Sequence, residues 1–297
     1  MAASRTMSTG RRRQQQAARL REFDHQGLIF DVTDAGSHDA DCMVLLHGFP
    51  STARAWDGVI SALRGRFRTL AVDQRGYSAR ARPVAVRAYG VRELTGDVLA
   101  LAETAGADRF HLVGHDWGGL VAWHLAAHHP QRLHSLTVLS TPHPRALVES
   151  LTRSWQPLRS AYALAWQPTI VPEIVMLAAN GRILRAGLEA SGLDRSLAEQ
   201  YATQMRQPGA LRAALNWYRA AGRAPRPLFS LPPVRVPTMY VWSTNDPALG
   251  RAAAERTAQH VEGPYRFEVL DGVSHWIPET EPSRVAALVD QHASANR

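Results

Sequence analysis

Residues 110–119, FHLVGHDWGG, carry the clearest structural signal in the chain. The apolar run at 110–113 has the length of a buried strand, and a helix is expected from 117 to about 128. Glycines on both sides of Asp116 allow a sharp turn and let the helix approach the strand closely. The helix N–H groups then lie beneath Asp116 and favour an ionised carboxylate. Asp116 is therefore a candidate nucleophile, and the simpler alternative is an N-cap aspartate.

Strand-length and helix-length segments alternate on both sides of this turn. Strands are predicted at 28–32, 43–46, 69–72, 136–139, 239–242 and 267–270, and helices near 53–63, 91–103, 249–260 and 283–293. This alternation predicts an α/β fold with a mostly parallel central sheet flanked by helices.

A helical insertion interrupts the alternation between about residues 141 and 236. It is rich in alanine, leucine, arginine and tryptophan, has helical periodicity, and is bounded by proline clusters. We call residues 142–236 the cap. The predicted organisation is a disordered basic tail at 1–21, a core formed by 22–141 and 237–297, and this helical cap.

Most of the net charge of +8 comes from the first 21 residues, which hold six arginines and no acidic residue. The remainder is near +2, which does not favour a nucleic-acid-binding protein. We interpret the tail as an inert extension, with weak binding to an anionic surface as the alternative.

The remaining composition predicts a soluble cytoplasmic protein. The longest apolar stretch, 163–180, is broken by polar residues and prolines, and it is shorter than the roughly 20 residues of a membrane span. Cys42 is the only cysteine, which excludes an internal disulfide.

His124 and His128 have a spacing that occurs in metal sites, but no third ligand lies nearby in the sequence. We therefore expect an exposed face of the helix and no metal site.

An acid and a base follow the candidate nucleophile along the chain. Asp246 follows the strand predicted at 239–242, and His275 lies on the loop after the last predicted strand. The order nucleophile, acid, histidine occurs in catalytic triads, where the acid accepts the imidazole N–H and fixes the tautomer. Asp271 is a rival acid, and Asp246 can also be a turn residue before a proline.

HGFP at 47–50 follows the strand predicted at 43–46 and predicts an oxyanion hole. The backbone N–H groups of Phe49 and Trp117 are the expected donors. A cis peptide is expected before Pro50, and His47 is expected to be a structural residue of the loop.

A carboxylate nucleophile changes the expected chemistry. It needs no base for its activation and displaces at saturated carbon, which gives an alkyl ester of the enzyme. Water must then hydrolyse this ester, so His275 acts as a base on water. This disfavours ordinary carboxylesterases and lipases and favours cleavage of carbon–oxygen or carbon–halogen bonds.

These motifs resemble the epoxide-hydrolase branch of the α/β-hydrolase superfamily. The matching segments are HGFP at 47–50, DQRGYS at 73–78, GHDWGG at 114–119, STNDPALG at 243–250 and GVSHW at 272–276. They cover the chain from about residue 23 to its end. The resemblance implies an α/β-hydrolase fold with a helical cap and catalytic roles for Asp116, Asp246 and His275, without a metal or organic cofactor.

Two cap segments separate epoxide hydrolases from related enzymes. LNWYR at 215–219 resembles the family's second cap tyrosine motif, and YALAWQP at 162–168 resembles the first more loosely. The resemblance implies that Tyr162 and Tyr218 hydrogen-bond the epoxide oxygen and donate a proton as the ring opens. A phenol with a pKa of about 10 suits this role because it stays protonated at pH 7. The alternative is that both tyrosines only pack the cap.

Three rival functions remain open. A haloalkane dehalogenase shares the nucleophile, the histidine and Trp117, but that family often has an asparagine at the position of Phe49. A haloacetate dehalogenase typically has arginine at the position of Trp117. A non-catalytic protein that binds small signals is disfavoured by the intact Asp116, Asp246 and His275.

The large apolar side chains of the cap can line a pocket, which predicts a hydrophobic substrate. The alternative is that they pack the cap itself. The expected partners are a small hydrophobic epoxide and water, without nucleic acid or a membrane span, and the oligomeric state is open. The candidate substrate-binding residues are Trp155, Trp166, Met205 and Trp217.

Overall fold

The computed structural model describes residues 19–151, 156–159, 161–224 and 226–297. The described strands are β1 (Glu22–His25), β2 (Leu28–Ala35), β3 (Cys42–Leu46), β4 (Arg68–Val72), β5 (Phe110–His115), β6 (Leu133–Leu139), β7 (Thr238–Asn245) and β8 (Tyr265–Ser274). The α-helices of the core are α1 (Asp57–Ala62), α2 (Val91–Thr104), α3 (Trp117–His128), α11 (Arg251–Arg256), α12 (Ile277–Thr280) and α13 (Pro282–Ser294). The described helices of the cap are α4 (Pro144–Leu151), α5 (Gln156–Arg159), α6 (Ala161–Ala165), α7 (Val171–Ala190), α8 (Arg195–Met205), α9 (Ala210–Arg223) and α10 (Arg226–Phe229).

The strands form one sheet of eight in the order β1-β2-β4-β3-β5-β6-β7-β8. The pairs β1–β2 and β2–β4 are antiparallel, and the pairs from β4 through β8 are parallel. The carboxyl ends of the parallel strands therefore share one edge, where the loops after β3, β5, β7 and β8 meet. This confirms the predicted mostly parallel sheet.

Alternate residues of the central strand β3 enter two hydrophobic clusters, because successive side chains of a strand point to opposite faces. Val44 and Leu46 pack in the cluster that contains apolar residues of α2 and α3. Met43 and Leu45 pack in the cluster that contains those of α1 and α13. Helices therefore cover both faces of the sheet.

The structure corrects the predicted start of the ordered chain. The Leu20 N–H donates to Asp34 at 3.0 Å, and the Arg19 guanidinium lies 3.6 Å from the same carboxylate. Arg19 and Leu20, which belong to the predicted tail of residues 1–21, are thus held against β2. Residues 1–18 of the predicted tail lie outside the described residues.

The expectation of an exposed histidine face on α3 is also wrong for His124. This residue is buried, its ring stacks on that of His128 at 4.3 Å, and its Nδ1 lies 2.8 Å from the Thr95 hydroxyl. His124 is therefore a packed residue with a hydrogen-bond partner.

A buried ion pair connects two helices of the cap. The Arg219 guanidinium of α9 lies 2.9 Å from Glu173 near the start of α7, and it also donates to the Pro168 carbonyl at 2.6 Å.

The helix α7 has a kink at residues 178–181, where four residues leave helical geometry. None of the described helices combines the length and the apolar character that crossing a bilayer requires.

Candidate active site

Asp116 occupies a strained turn between β5 and α3. Its backbone φ is 52°, a left-handed value that few residues other than glycine adopt. The neighbouring glycines permit this turn, because a side chain on Gly114 would meet the Gly118 carbonyl, and one on Gly118 would meet the Leu46 carbonyl. The close contact of strand and helix thereby presents the Asp116 carboxylate at the edge of the sheet.

The loop after β3 packs directly on this carboxylate. Gly48 leaves no room for a side chain, since a Cβ there would collide with the carboxyl group of Asp116. The Phe49 N–H donates to Asp116 Oδ1 at 2.8 Å, and the Trp117 N–H also hydrogen-bonds the carboxylate. The two amides predicted for the oxyanion hole thus converge on one side chain. The Phe49–Pro50 peptide is cis, as expected.

His47 supports the shape of this loop. Its Nδ1 donates to the Gly48 carbonyl at 2.9 Å, and its Nε2 accepts the Gln74 N–H at 3.2 Å. Burial lowers the pKa of His47 to about 4, so the ring is neutral at pH 7.

The structure brings Asp246 and His275 together beside Asp116. His275 Nδ1 lies 2.8 Å from Asp246 Oδ2, and His275 Nε2 lies 3.6 Å from Asp116 Oδ2. The other oxygen of Asp246 accepts the N–H groups of Ala248 and Leu249 at 2.8 and 2.9 Å. These bonds fix the carboxylate that orients the imidazole.

The rival acid Asp271 lies outside this group. It is exposed, and its carboxylate accepts a hydrogen bond from the Thr244 hydroxyl at 3.0 Å. Of the two candidate acids, Asp246 is the one that reaches His275.

The backbone of His275 is held from two sides. The Ser140 hydroxyl donates to the His275 carbonyl at 3.1 Å, and His115 Nε2 donates to it at 2.9 Å. Burial, followed by the charge of His275, lowers the pKa of His115 well below its usual value. A neutral His115 therefore supports the loop without competing for the proton.

The charges around His275 favour its protonated form at neutral pH. Burial alone lowers its pKa, but Asp246, and then Asp116 and Glu279, outweigh burial and raise it to about 9. Burial raises the pKa of Asp116, while His275 and the two backbone amides oppose this effect. We therefore expect a charged His275 between two carboxylates in the resting site.

A cavity of about 340 Å³ lies between the cap and the edge of the sheet. Asp116 and His275 line it from the core, and Tyr162 and Tyr218 line it from the cap. The centroids of the two phenol rings are 6.3 Å apart. Burial, and after it neighbouring groups that include Asp116, raises the pKa of both phenols. Tyr162 is 37% exposed and Tyr218 is buried, and both phenols keep their protons at neutral pH.

The side-chain amide of Gln167 joins the two segments that carry the tyrosines. Its Nε2 donates to the carbonyl of Ala163, next to Tyr162, at 3.1 Å and to the carbonyl of Tyr218 at 3.0 Å. Gly222 leaves space for this side chain, because a Cβ there would collide with Gln167. Gln167 therefore sets the position of α6 relative to α9.

The predicted substrate-binding residues occupy different environments. Trp166 lines the cavity. Met205 and Trp217 do not line it: both are fully buried in the apolar core, and the Trp217 indole donates to the Arg75 carbonyl at 2.8 Å. The expectation that these two contact substrate is corrected, because their side chains serve packing. Trp155 lies outside the described residues.

Sequence-based prediction missed two polar residues near His275. Glu279 lies four residues after His275, in α12, and accepts a hydrogen bond from the Tyr201 hydroxyl at 2.9 Å. Burial raises the pKa of Glu279 to about 7. Nothing in the sequence marks either residue, because Glu279 and Tyr201 come from different segments, α12 and α8, that meet only in the folded chain.

Comparison with known proteins places this geometry in a family. Residues 41–282 match the family described as the alpha/beta hydrolase fold. The chain belongs to the α/β-hydrolase fold family. The predicted fold class is thereby confirmed.

This hydrolase is similar to proteins named as epoxide hydrolases. Epoxide hydrolase A of Mycobacterium tuberculosis is 31% identical over 91% of this chain and 95% of its own length. The AB hydrolase superfamily protein YfhM of Bacillus subtilis is 32% identical over 89% of this chain and 93% of its own. The crystal structure of epoxide hydrolase A from Mycobacterium thermoresistibile matches with a TM-score of 0.77 at 28% identity, covering 91% of this chain and 96% of that chain. The predicted resemblance and the prediction of a hydrolase enzyme are confirmed.

Proposed function

We propose that this hydrolase converts an epoxide to a vicinal diol through an ester on Asp116. The observation that carries the proposal is the shared cavity, which Asp116 and His275 line from the core and Tyr162 and Tyr218 line from the cap. This set offers one substrate a nucleophile, a base and two proton donors. The names of the relatives give a second line of support.

Ring opening is the first step. Because Asp116 Oδ1 accepts the Phe49 N–H, we assign the attack on a ring carbon to Oδ2. The ring carbon–oxygen bond breaks, and its electron pair moves to the departing oxygen. Tyr162 and Tyr218 hold this oxygen, and one of them transfers its phenolic proton. The products are a hydroxyalkyl ester of Asp116 and a phenolate, and the phenolate then takes the proton of the resting His275 imidazolium, which leaves a neutral imidazole.

Ester hydrolysis is the second step. His275 takes a proton from water, and the hydroxide attacks the ester carbonyl of Asp116. The N–H groups of Phe49 and Trp117 stabilise the negative charge on Oδ1. The alkoxide leaves with the proton from His275, and the proton of the new Asp116 carboxylic acid then passes to His275. One water has then been added, and the resting site is restored.

The size and lining of the cavity support a small hydrophobic epoxide. About 340 Å³ is at the lower end of the range for small-molecule sites. Most of the lining is apolar, and it includes Phe49, Trp166, Met176, Leu184 and Leu188.

The test is to trap the ester. His275→Ala removes the base of the second step and leaves the nucleophile and the tyrosines in place. After incubation with a styrene-type epoxide, we expect the intact protein to gain the mass of one epoxide, and peptide mass spectrometry to locate it on Asp116. His128→Ala, which changes an exposed histidine of α3, is the matched control and should turn over without accumulating an adduct.

An unmodified Asp116 peptide in a folded His275→Ala protein that has consumed epoxide would contradict the proposal. Chloride release from a haloalkane by the unaltered protein, with no diol from any epoxide tested, would favour a dehalogenase instead.

A further inference from the structure

Part of the cap exposes large apolar side chains to solvent. Residues 160–181 contain one charged residue, Glu173, and this side chain is paired with the buried Arg219 at 2.9 Å. Large apolar side chains of the region are nevertheless exposed, by 76% at Leu164 and by 65% at Ile174. The cap patch, as we name it, consists of Leu164, Ile170, Val171, Ile174, Val175 and Ile183.

The first half of α7 has the reverse of the usual amphipathic pattern. Val171, Ile174 and Val175 have helical spacing for one face, and all three are exposed. Pro172 and Met176 are buried, and Met176 lines the cavity. A surface helix ordinarily has polar residues on its solvent-facing side. An exposed apolar helix face of this kind indicates an interaction surface.

The cap patch shares one residue with the wall of the cavity. Ile183 belongs to the patch, is 49% exposed and also lines the cavity, and the exposed part of Tyr162 lies in the same region of the chain. A molecule held in an apolar phase against Ile183 would therefore lie beside the wall of the cavity.

The charge of the cap indicates which partner fits. Residues 142–236 hold twelve arginines and five acidic residues, a net charge of +7, whereas residues 22–141 and 237–297 together carry −5. An apolar patch within a basic unit is complementary to a surface that is apolar inside and anionic at its boundary. Two caps of the same charge would repel each other, which disfavours a second copy of the chain as the partner.

We propose that the cap patch docks on a lipid surface with anionic headgroups, so that apolar substrates pass from the lipid into the cavity. The apolar side chains enter the boundary of the acyl region, and the arginines of the cap attract the headgroups. Docking goes beyond the proposed reaction and does not depend on it.

The test is co-sedimentation of the full chain with lipid vesicles. We expect binding to vesicles of phosphatidylglycerol and phosphatidylcholine, and binding weaker by roughly tenfold or more to phosphatidylcholine alone or at high salt. The double variant Val171→Gln, Ile174→Gln should lower the partition coefficient by roughly tenfold or more. The control is Val84→Gln, which changes a residue that is 83% exposed and outside the cap, and it should bind like the unaltered protein.

Thermal unfolding of each variant verifies folding, which polar residues at these exposed positions should not disturb. Absence of binding to either vesicle, or equal binding by the double variant, would overturn the proposal. Equal binding would assign the attraction to arginines alone, without a contribution from the patch. Self-association of the unaltered chain, lost in the double variant and without vesicle binding, would overturn it in favour of a second copy.

Discussion

Three carboxylates raise the pKa of His275, and the charge of one of them changes during the proposed cycle. Asp246 contacts Nδ1 at 2.8 Å throughout, whereas Asp116, 3.6 Å from Nε2, loses its negative charge when it becomes an ester. Because Asp116 helps to raise the pKa of His275 to about 9, esterification lowers that pKa. His275 therefore becomes able to accept a proton from water at the stage where the proposal requires a base.

The pH dependence of ester hydrolysis tests the role of Asp246. Asp246→Asn keeps an oxygen for the Ala248 and Leu249 N–H groups but removes the charge that contributes most to raising the pKa of His275. Hydrolysis speeds up as pH rises through the pKa of His275, so we expect this rise to move to lower pH in the variant. The plateau rate should fall by about 10²- to 10³-fold, because the imidazolium formed in the transition state loses its partner. Single-turnover decay of the ester, followed across pH, measures both effects.

Asp271→Asn is the matched control for this prediction. It removes the exposed rival acid, and its pH profile should coincide with that of the unaltered protein. A shifted profile for Asp271→Asn, or an unshifted one for Asp246→Asn, would contradict the assignment of the acid.

At the level of elements, the short helix α6 needs contacts with other segments to hold Tyr162 in position. A helix of five residues is too short to be stable alone. Gln167 supplies the support through its hydrogen bonds to the carbonyls of Ala163 and Tyr218. The distance between the two phenols therefore depends on one amide side chain.

Gln167→Leu tests this positioning role. The variant keeps a similar volume and loses both hydrogen bonds, so we expect ester formation to slow by about tenfold because the phenols no longer meet the oxygen together. Ester hydrolysis should be unchanged, since it uses His275 and the backbone amides. Stopped-flow measurement of the two steps separates them. Gln200→Leu, at an exposed position of α8, is the control, and equal slowing of both steps in Gln167→Leu would indicate a general structural defect.

Elements with a strong local pattern could be predicted from the sequence. The helix expected at 117–128 is observed as Trp117–His128, and the strand expected at 43–46 as Cys42–Leu46. The helix expected at 53–63 is a 3-10 turn, Ala53–Trp56, followed by α1. The strand β1 was missed because it is a four-residue edge strand in which Phe23 is the only apolar residue.

The candidate site could be predicted only where chain order determines contact. Asp116, Asp246 and His275 follow parallel strands, whose carboxyl ends share an edge, so their meeting was predictable. Gln167 and Tyr218 are 51 residues apart, and their hydrogen bond follows from the packing of the cap. For the same reason, periodicity could not show that Met205 faces the core and not the cavity.

At the scale of the whole molecule, the proposed reaction is divided between the core and the cap. The core supplies the carboxylate, the two amides and the base at one edge of the sheet, and the cap supplies the phenols across the cavity. In the proposed reaction, the Asp116 carboxylate itself forms the bond to carbon.

The origin of the oxygen added to the substrate distinguishes attack by Asp116 from direct attack by water. In a single turnover in H₂¹⁸O with enzyme in excess, water attacks the ester carbonyl, so ¹⁸O should appear in the Asp116 peptide and the diol should carry unlabelled oxygen. Diol labelled in that first turnover, with an unlabelled Asp116 peptide, would show direct attack by water and rule out an ester on Asp116.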